Sequence, residues 1–576
     1  MLELFRAKSG DLTASVPGGL LHSRYDPRRE AERYLDRALG YGSRSEQVPR
    51  PATVLLLGTG LGYLASVIRN RLPNCHLIAV SALNALQTEH RPAIDVHVDL
   101  SAGDPAELLS RAMGPADVAG LELLEWEPEL RAAPQATEAA RTAVRELVVR
   151  YNADVATTGF FGRRYIRNAV RTLLFSKSAH TSGPGTKPVC IAASGPSIER
   201  SSLWISENRS RIEVWALSSA TPALRARGIT PDLVVHQDAG YYATLHLAEA
   251  ARAGDTAGPS GASEETGASV GAAPAHMSPI LMPATAALPP RELRSAPILF
   301  HQGTELETEL FSALGIEPPR TSETGTVAAT ATLLALARSS GTVYLAGLDL
   351  SRDDIRAHAT PHAFEPYLSR RESRLRPLYS QLAVDAFERS EPPQAPQGKP
   401  GPQRSRQERS LDIYAAWFRN LPERLTRRLR RLSPSPVDIG IEAVAAGERP
   451  GDGGGPATRD DAGAGGGTGA GDTGATWEPL QLPSQGERQA ALRSVLAAWR
   501  SEIRRFTGAH TPPEPTDRAS ELAYLIAAAD YVSAVAAGRR GDHAARARSL
   551  ARLSETGEQL FARIEYILER VAEQDT

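Results

Sequence analysis

The chain has 576 residues, of which 65 are Lys or Arg and 67 are Asp or Glu, giving a formal net charge of −2. This length exceeds what one hydrophobic core accommodates, so we expect several domains. The balanced charge argues against a nucleic-acid groove built on phosphate contacts, and two widely separated cysteines argue against a disulfide framework or a zinc cluster.

The N-terminal segment MLELFRAKSGDLTASVPGG lacks the apolar core of a secretory signal peptide. No run of residues approaches the roughly 20 apolar residues that span a bilayer. We therefore expect a cytoplasmic protein without a membrane span.

A strand, a turn with three glycines and a helix open the first α/β unit. TVLLLGTGLGYLASVIRNR places Gly58, Gly60 and Gly62 directly after the strand, as in turns that bring a nucleotide close to the backbone. The next strand, LIAV, ends at Ser81 and not at an acid that would bind a ribose. We therefore interpret the motif as a structural turn, with a bound dinucleotide or S-adenosylmethionine as the alternative. The unit predicts an N-terminal Rossmann-like domain over residues 1–185.

Short apolar runs alternate with helical patterns along the middle of the chain, which indicates a parallel sheet covered by helices. VCIAASGPSIER ends such a strand on Ser194, Gly195, Pro196 and Ser197. Gly195 can adopt positive φ, and Ser197 is a suitable N-cap for the next helix. The free N–H groups of that helix end are suited to phosphate, although a plain turn is the alternative.

Other strands of this unit also end in polar residues. EVWALSSA ends on Ser218 and Ser219, DLVVHQD ends on Asp238, and TVYLAGLD ends on Asp349. The carboxyl ends of parallel strands meet at one edge of a sheet, where open α/β folds bind ligands. Taken together, these strand ends predict a nucleotide site.

One more loop and a histidine belong to this pattern. Thr324, Gly325 and Thr326 precede a helix of small residues, and His358 follows the strand that ends at Asp349. A hydroxyl-glycine loop before a helix is a further candidate for binding phosphate or sugar oxygens.

Three compositionally biased segments divide the chain. Residues 251–276 are small and polar, and residues 390–409 are rich in Pro, Gln and Arg, so both predict mobile inserts within one central domain over 186–445. A Gly-rich linker is predicted over 446–485. Three amphipathic patterns without strands then predict a C-terminal helical domain over 486–576.

The succession ASGPS, LSSATPALRARGITPDLVVHQD, TGTVAATATLLALA and VYLAGLDL with a downstream histidine resembles the motility-associated factor (Maf) glycosyltransferases. These proteins share the DUF115 domain with the MptE-like 6-hydroxymethylpterin diphosphokinases. LHSRYDPRREAERYL followed by GTGLGY is similar to the Maf N-terminal domain, so the resemblance covers about residues 20–445. The fold class expected is α/β, with an N-terminal Rossmann-like domain, a central sialyltransferase-like domain with a parallel sheet, and a C-terminal helical region.

The resemblance implies transfer of a nonulosonic, sialic-acid-like sugar from a CMP-activated donor to Ser or Thr of flagellin, with no metal or other cofactor required. The donor-binding residues it implies are Gly195, Pro196 and Ser197 with Ser194 beside them for the phosphate, Ser218, Ser219 and Asp238 for the nucleotide pocket, and Thr324, Gly325 and Thr326 for the rest of CMP.

Such a transfer passes through an oxocarbenium-like transition state, so the protein must neutralise the leaving phosphate and accept the proton of the acceptor hydroxyl. A histidine suits the second task because its pKa lies near working pH. His358 is the candidate base, and His362 and His236 compete with it. Asp349 is a candidate to orient the base or to cap the next turn, and we favour the structural role.

Two other functions stay open. A pterin diphosphokinase would use ATP and Mg²⁺, with carboxylates such as Asp238 and Asp349 holding the metal. Chain architecture argues against it, since a compact kinase has no use for the N-terminal domain and the helical tail. A non-catalytic scaffold would instead bind flagellin or an export partner through the apolar stripes of the C-terminal helices.

Overall fold

The structure is a computed structural model that describes residues 2–40, 50–83, 85–86, 88–247, 278–289, 297–322, 324–389, 405–406, 409–432, 437–445, 447–450, 477–508 and 518–572. The chain forms two compact units, the first from residues 1–163 with 496–576 and the second from residues 164–495. Most of the predicted inserts at 251–276 and 390–409 and most of the predicted linker lie outside the described residues.

The first unit contains a four-stranded parallel sheet in the order β6-β5-β4-β7. A small antiparallel sheet, β1-β2-β3, precedes it in the chain. The strands of this unit are β1 (Glu3–Arg6), β2 (Leu12–Val16), β3 (Gly19–Leu20), β4 (Thr53–Leu57), β5 (His76–Ser81), β6 (Val96–Asp99) and β7 (Leu121–Glu125).

Strand β4 lies at the centre of this sheet and is buried along its whole length. Val54 and Leu56 belong to one hydrophobic cluster, and Leu55 and Leu57 belong to another, so the strand separates two cores. A strand covered on both faces needs a continuous apolar run, which explains why TVLLL was recognisable in the sequence.

The second unit contains a nine-stranded sheet in the order β17-β14-β9-β10-β11-β12-β13-β8-β18. All neighbours are parallel except the edge strand β18, which is antiparallel to β8. Its strands are β8 (Ala179–Ser182), β9 (Val189–Ala192), β10 (Glu213–Leu217), β11 (Leu233–Val235), β12 (Ile280–Pro283), β13 (Ile298–Phe300), β14 (Val343–Ala346), β17 (Leu429–Arg431) and β18 (Trp477–Leu480), while β15 (Arg352–Asp353) and β16 (Ser405–Arg406) form a separate pair.

The chain reverses its direction of sheet building beside β9. From β9 it adds β10 to β13 on one side, and it then returns to add β14 on the other side. In open α/β sheets the crevice at such a reversal, outside the carboxyl ends of the strands, is the usual ligand site. The first sheet reverses in the same way between β4 and β7.

The helices follow the pattern expected of α/β units. They are Pro27–Ala38, Tyr63–Arg71, Pro105–Ala112, Pro115–Val118, Glu127–Ala132, Pro134–Phe175, Ile198–Glu207, Thr221–Arg225, Glu305–Leu314, Val327–Arg338, Glu365–Ser369, Leu378–Arg389, Arg409–Arg419, Glu423–Thr426, Gln485–Gly508, Arg518–Arg540 and His543–Ala572.

The last two helices belong to the same unit as the first sheet, whereas the sequence pattern predicts a separate helical domain over 486–576. Polar contacts explain the association. The guanidinium of Arg539 donates to Asp117 Oδ1 at 2.7 Å and to Thr53 Oγ1 at 2.9 Å, at the beginning of β4.

By length and composition, the helix Arg518–Arg540 is the one candidate membrane span within the described residues. Most of its apolar side chains, Ile526 and Tyr531 among them, are buried in the first unit. Its backbone also departs from helical geometry at Ala527. A core helix passes the same test of length and composition, so this helix is weak evidence for a membrane.

The α/β fold class predicted from the sequence is confirmed, with parallel sheets in both units and helices at the C-terminal end. The apolar runs that were interpreted as strands correspond to β4, β5, β9, β10, β11, β13 and β14. The strand β12, which extends the sheet between β11 and β13, was not predicted from the sequence.

Candidate functional site

The turn after β9 lies at the reversal of the large sheet. Gly195 N donates to the carbonyl of Gly347, which follows β14, at 2.8 Å. A Cβ on Gly195 would lie 2.5 Å from that oxygen, so only glycine fits here. The expected positive φ is found instead at Gly347, with a φ of 65°. Gly195 is therefore required for close approach of two backbones and not for an unusual φ.

Asp349 fills the anion-binding position of this turn. Its Oδ2 accepts from Ser197 N at 2.7 Å, and its Oδ1 accepts from the Ser197 hydroxyl. The helix Ile198–Glu207 does begin after Ser197, but the serine side chain makes no capping hydrogen bond to the helix backbone. The predicted N-cap is thus wrong in its chemistry, because the hydroxyl prefers the carboxylate. The predicted phosphate role of Ser197 stays a prediction, and a phosphate would have to share these donors with Asp349.

Arg431 holds the segment that carries Asp349. Its buried guanidinium donates to the carbonyl of Leu348 at 2.5 Å and to that of Val437 at 2.7 Å. Asp349 is buried as well. These contacts favour the structural role that the sequence analysis preferred for Asp349.

Three predicted residues form a hydrogen-bonded chain at the carboxyl edge of the sheet. The Ser219 hydroxyl donates to Ser194 Oγ at 3.1 Å, and Ser194 Oγ lies 3.0 Å from His358 Nδ1. A histidine whose Nδ1 carries the proton and donates to Ser194 has its basic electron pair on Nε2. These two hydrogen bonds are therefore suited to a general base, His358, whose ring is positioned by Ser194 and Ser219.

Ser218 lies at the same carboxyl edge of the sheet, but its hydroxyl bonds to a different histidine. Its Oγ is 3.2 Å from Nδ1 of His236, whose Nε2 is 2.8 Å from the carbonyl of Ala287. His236 is fully buried, and burial lowers its pKa. This histidine links β11 to the segment after β12. Because both of its ring nitrogens are bonded inside the protein, it does not compete with His358 as the general base.

One further histidine lies against His358, and a second lies against the first. The ring of His362 stacks on that of His358, with centroids 4.1 Å apart, and the ring of His246 is 5.8 Å from that of His362. Burial, and then the neighbouring imidazoles, lower the pKa of His362 to about 3. Burial is also the main reason why the pKa of His246 falls to about 4. Both rings are therefore neutral near pH 7.

Several buried polar atoms near this edge have no hydrogen-bond partner among the residues that the structure describes. They include Nε2 of His246, Nε2 of His362 and Oε1 of Gln237, the second residue after β11. Buried polar atoms are nearly always paired in folded proteins, so such a group needs a bound water or ligand to explain it. His246 was not predicted from the sequence, because it lies eleven residues after the end of β11 and matches no motif.

The segment that carries His358 is bonded to the helix Ile198–Glu207, which follows the turn after β9. Glu199 Oε1 accepts from Thr360 N and from the guanidinium of Arg356, both at 3.0 Å. Arg227 donates to the carbonyl of Thr360 at 2.9 Å, and Ala359 N donates to that of Ser194 at 2.8 Å. These contacts fix the backbone beside the candidate base.

The remaining predicted residues lie in loops. Asp238 is exposed, and its Oδ1 accepts from Gly240 N at 3.0 Å, as in a local turn. Thr324 Oγ1 donates to the carbonyl of Thr326 at 3.0 Å. The helix Val327–Arg338 leads into β14, so its N-terminal end and the Thr324 loop lie toward the carboxyl edge of the sheet.

The glycine turn of the first unit is filled by the protein itself. Glu129, from the segment after β7, accepts from Gly60 N at 2.6 Å, Ala82 N at 2.7 Å and Leu83 N at 3.1 Å. Leu61 N donates to His22 Nε2 at 2.8 Å. Glu129 is fully buried, and burial raises its pKa. The arrangement agrees with our interpretation of GTGLGY as a structural turn.

The metal sites proposed under the diphosphokinase alternative find no support in the geometry. Both oxygens of Asp349 bind Ser197, and Asp238 is exposed in its own turn. Within the described part of the chain, no three His, Cys, Asp or Glu side chains are grouped so that they could hold a metal ion.

Comparison with known proteins agrees with this architecture. The family described as 6-hydroxymethylpterin diphosphokinase MptE-like matches residues 163–263. An uncharacterized protein of Treponema pallidum (strain Nichols) is 26% identical over 353 residues, which span 60% of this chain and 66% of that protein, just under two thirds of its length. The solved structure of the MAf glycosyltransferase from Magnetospirillum magneticum AMB-1 aligns with a TM-score of 0.56 at 14% identity, covering 99% of this chain and 92% of that chain.

These findings confirm the resemblance to the Maf and DUF115 proteins that the motifs indicated. The identity to the solved structure is low, so that comparison establishes the fold alone.

Proposed function

We propose that the protein is a motility-associated glycosyltransferase that moves a nonulosonic, sialic-acid-like sugar from a CMP-activated donor to a Ser or Thr hydroxyl of flagellin. The observation that carries the proposal is the pair of hydrogen bonds that joins Ser219, Ser194 and His358 where the nine-stranded sheet reverses beside β9. The fold shared with a Maf glycosyltransferase supports the reaction class. The proposed place of action is the cytoplasm.

The proposed mechanism divides the work between two sides of His358. Its Nε2 would accept the proton of the acceptor hydroxyl while CMP leaves, and Ser194 would keep the ring in the tautomer that this step requires. The Ser194 hydroxyl and the two donors of Ser197, shared with Asp349, would stabilise the leaving phosphate. Thr324 and Thr326 would be further donors. These groups supply hydrogen bonds to an anion without a metal ion.

CMP binding is the first test. At about a hundred times its Kd, a ligand adds roughly 2.7 kcal/mol to the stability of the unit that binds it, so CMP should raise the melting temperature of the purified protein. Ser194→Ala should weaken CMP binding, whereas Ser202→Ala should not, because the Ser202 hydroxyl contacts only the helix backbone at Glu199 O among the described bonds. Equal CMP affinity in all three proteins would contradict the proposed donor site.

The catalytic step is tested separately. His358→Gln should retain CMP binding and lower transfer from a CMP-activated sialic acid to purified flagellin by roughly 10²- to 10⁴-fold, the usual contribution of a general base. An unchanged transfer rate would remove His358 from the mechanism while leaving the donor site intact.

The MptE-like match favours one other candidate, an ATP-dependent diphosphokinase. It predicts a thermal shift with ATP and Mg²⁺ and none with CMP. A protein that responds to neither nucleotide, but still binds flagellin through its C-terminal helices, would instead be the scaffold that the sequence left open.

A further inference from the structure

Three tyrosines form a cluster beside the imidazoles of the candidate site. Tyr241 and Tyr242 follow β11 and are 73% and 56% exposed, and Tyr367 lies in the helix Glu365–Ser369. The rings of Tyr241 and Tyr242 are 5.9 Å apart, and those of Tyr242 and Tyr367 are 6.0 Å apart. Large exposed aromatic side chains gathered in one place usually mark a binding surface.

This tyrosine cluster (Tyr241, Tyr242 and Tyr367) is connected to the candidate base through the chain segment 362–367. Tyr367 N donates to the carbonyl of Phe364 at 3.1 Å, and the Phe364 ring lies 5.2 Å from His362 and 5.0 Å from His246. His362 in turn stacks on His358. Tyr367 thus lies three residues after Phe364, whose ring packs against His362, and His362 lies on the ring that is proposed to accept a proton.

The tyrosines and the serines reach His358 by different routes. Ser194 contacts Nδ1 in the plane of the ring, and Ser219 contacts Ser194. The segment that carries Tyr367 instead approaches His358 through Phe364 and the stacked ring of His362. A general base must contact the acceptor on a side that the donor leaves open. The serine side belongs to the proposed donor site, so the tyrosine cluster belongs to the acceptor.

The geometry of the rings indicates what kind of acceptor fits. Neighbouring rings are inclined by 74° and 59°, so they offer no common flat face for a stacked base or sugar. They extend over at most about 12 Å, the length of three to four residues of extended polypeptide. Rigid tyrosines that present both ring and hydroxyl are typical of surfaces that bind protein segments.

The cluster also has a basic edge. The guanidinium of Arg371 lies 4.3 Å from the centre of the Tyr367 ring, and Arg370 is exposed next to it. An arginine held on an aromatic face keeps donors available for backbone carbonyls or carboxylates of a bound chain.

We infer that Tyr241, Tyr242 and Tyr367 bind an extended polypeptide segment of the acceptor protein and present its Ser or Thr hydroxyl to His358. The inference rests on the proposed function, since it assigns the acceptor side of the same site. It adds a specificity surface that no sequence motif indicated.

Binding of purified flagellin to immobilised protein tests the inference, with CMP affinity measured on the same samples. Truncating central aromatic contacts of a protein interface typically weakens binding by about tenfold or more. We expect that loss for the double variant Tyr241→Ala/Tyr242→Ala and for Tyr367→Ala, with CMP affinity unchanged within about twofold. The matched control is Tyr566→Ala, which removes a 52% exposed tyrosine whose ring lies 5.6 Å from the Arg570 guanidinium.

The outcomes separate the two proposals. Flagellin binding that is unchanged in the cluster variants, or that the wild-type protein lacks altogether, overturns the inference. Loss of CMP affinity together with flagellin affinity also overturns it, because the rings would then belong to the donor side. A wild-type protein that binds flagellin through the tyrosines but does not bind CMP refutes the proposed transfer and leaves the polypeptide surface standing.

Discussion

The two glycine turns of this protein have the same construction and different surroundings. Each follows a central strand at the reversal of its sheet, β4 in the first unit and β9 in the second. Each receives a carboxylate from the segment that follows the strand across the reversal, Glu129 after β7 and Asp349 after β14. In both, an internal anion occupies the position where this type of turn can bind phosphate.

The difference lies in what else surrounds the carboxylate. Glu129 binds three backbone N–H groups, and the buried ring of His22 occupies the next donor of the turn, so the first site is closed. Asp349 binds the N–H and the hydroxyl of Ser197, and beside it Ser194 and Ser219 lead to the exposed His358. The same turn therefore serves stability in one unit and retains chemically useful neighbours in the other.

Removing the Glu129 carboxylate from the turn after β4 should cause the largest loss of stability among these changes. Glu129→Ala leaves the buried N–H group of Gly60 and the partly buried N–H groups of Ala82 and Leu83 without their acceptor. Each such donor costs about 1–3 kcal/mol, so we expect the opening free energy of β4 to fall by about 3 kcal/mol or more. Hydrogen–deuterium exchange of the β4 amides measures this loss. Glu127→Ala, at an exposed position of the same helix, should cost less than about 0.5 kcal/mol. Equal protection in both variants would mean that Glu129 does not hold the turn closed.

The closed turn should also respond to acid through His22. Burial, and then repulsion from His90, lower the pKa of His22 to about 3, whereas the unfolded chain protonates this ring near pH 6.5. A lowered pKa means that its stabilising contribution is complete above pH 6.5 and is lost as the pH falls below it. Between pH 7.5 and 5.0 the loss amounts to about 2 kcal/mol.

The variant His22→Gln isolates this contribution, because its amide oxygen can still accept from Leu61 N but does not titrate. Exchange of the β4 amides at the two pH values should show the smaller pH dependence in the variant. The same pH dependence in both proteins would assign the acid response to other groups.

The sequence predicted the elements of the fold better than it predicted the partners within the site. Strands such as β9 are local patterns of apolar residues, so their existence was predicted correctly. The pairing of Ser197 with Asp349 joins residues far apart in the chain, and no local pattern encodes it. For the same reason His246 could not be placed beside His362 before the fold was known.

A smaller effect should appear when the carboxylate of the second turn loses its charge. Asp349→Asn keeps an oxygen that can accept from Ser197 N and removes a negative charge next to the donors predicted to hold the CMP phosphate. Two unit charges about 4 Å apart interact by about 1 kcal/mol even in bulk water and by more beside a buried carboxylate, so the Kd for CMP should decrease by at least about fivefold. Isothermal titration calorimetry at neutral pH measures this change.

The control for this comparison is Asp232→Asn. Asp232 precedes β11 at the opposite edge of the sheet, and its Oδ2 accepts from Val214 N at 2.7 Å, the same bond length as between Asp349 and Ser197 N. Its substitution should leave the Kd for CMP unchanged. A Kd that increases in Asp349→Asn would mean that the carboxylate is needed to shape the turn and that the phosphate binds to other groups. The second turn would then be as closed as the first, and the donor site would rest on Ser194, Ser219 and the Thr324 loop alone.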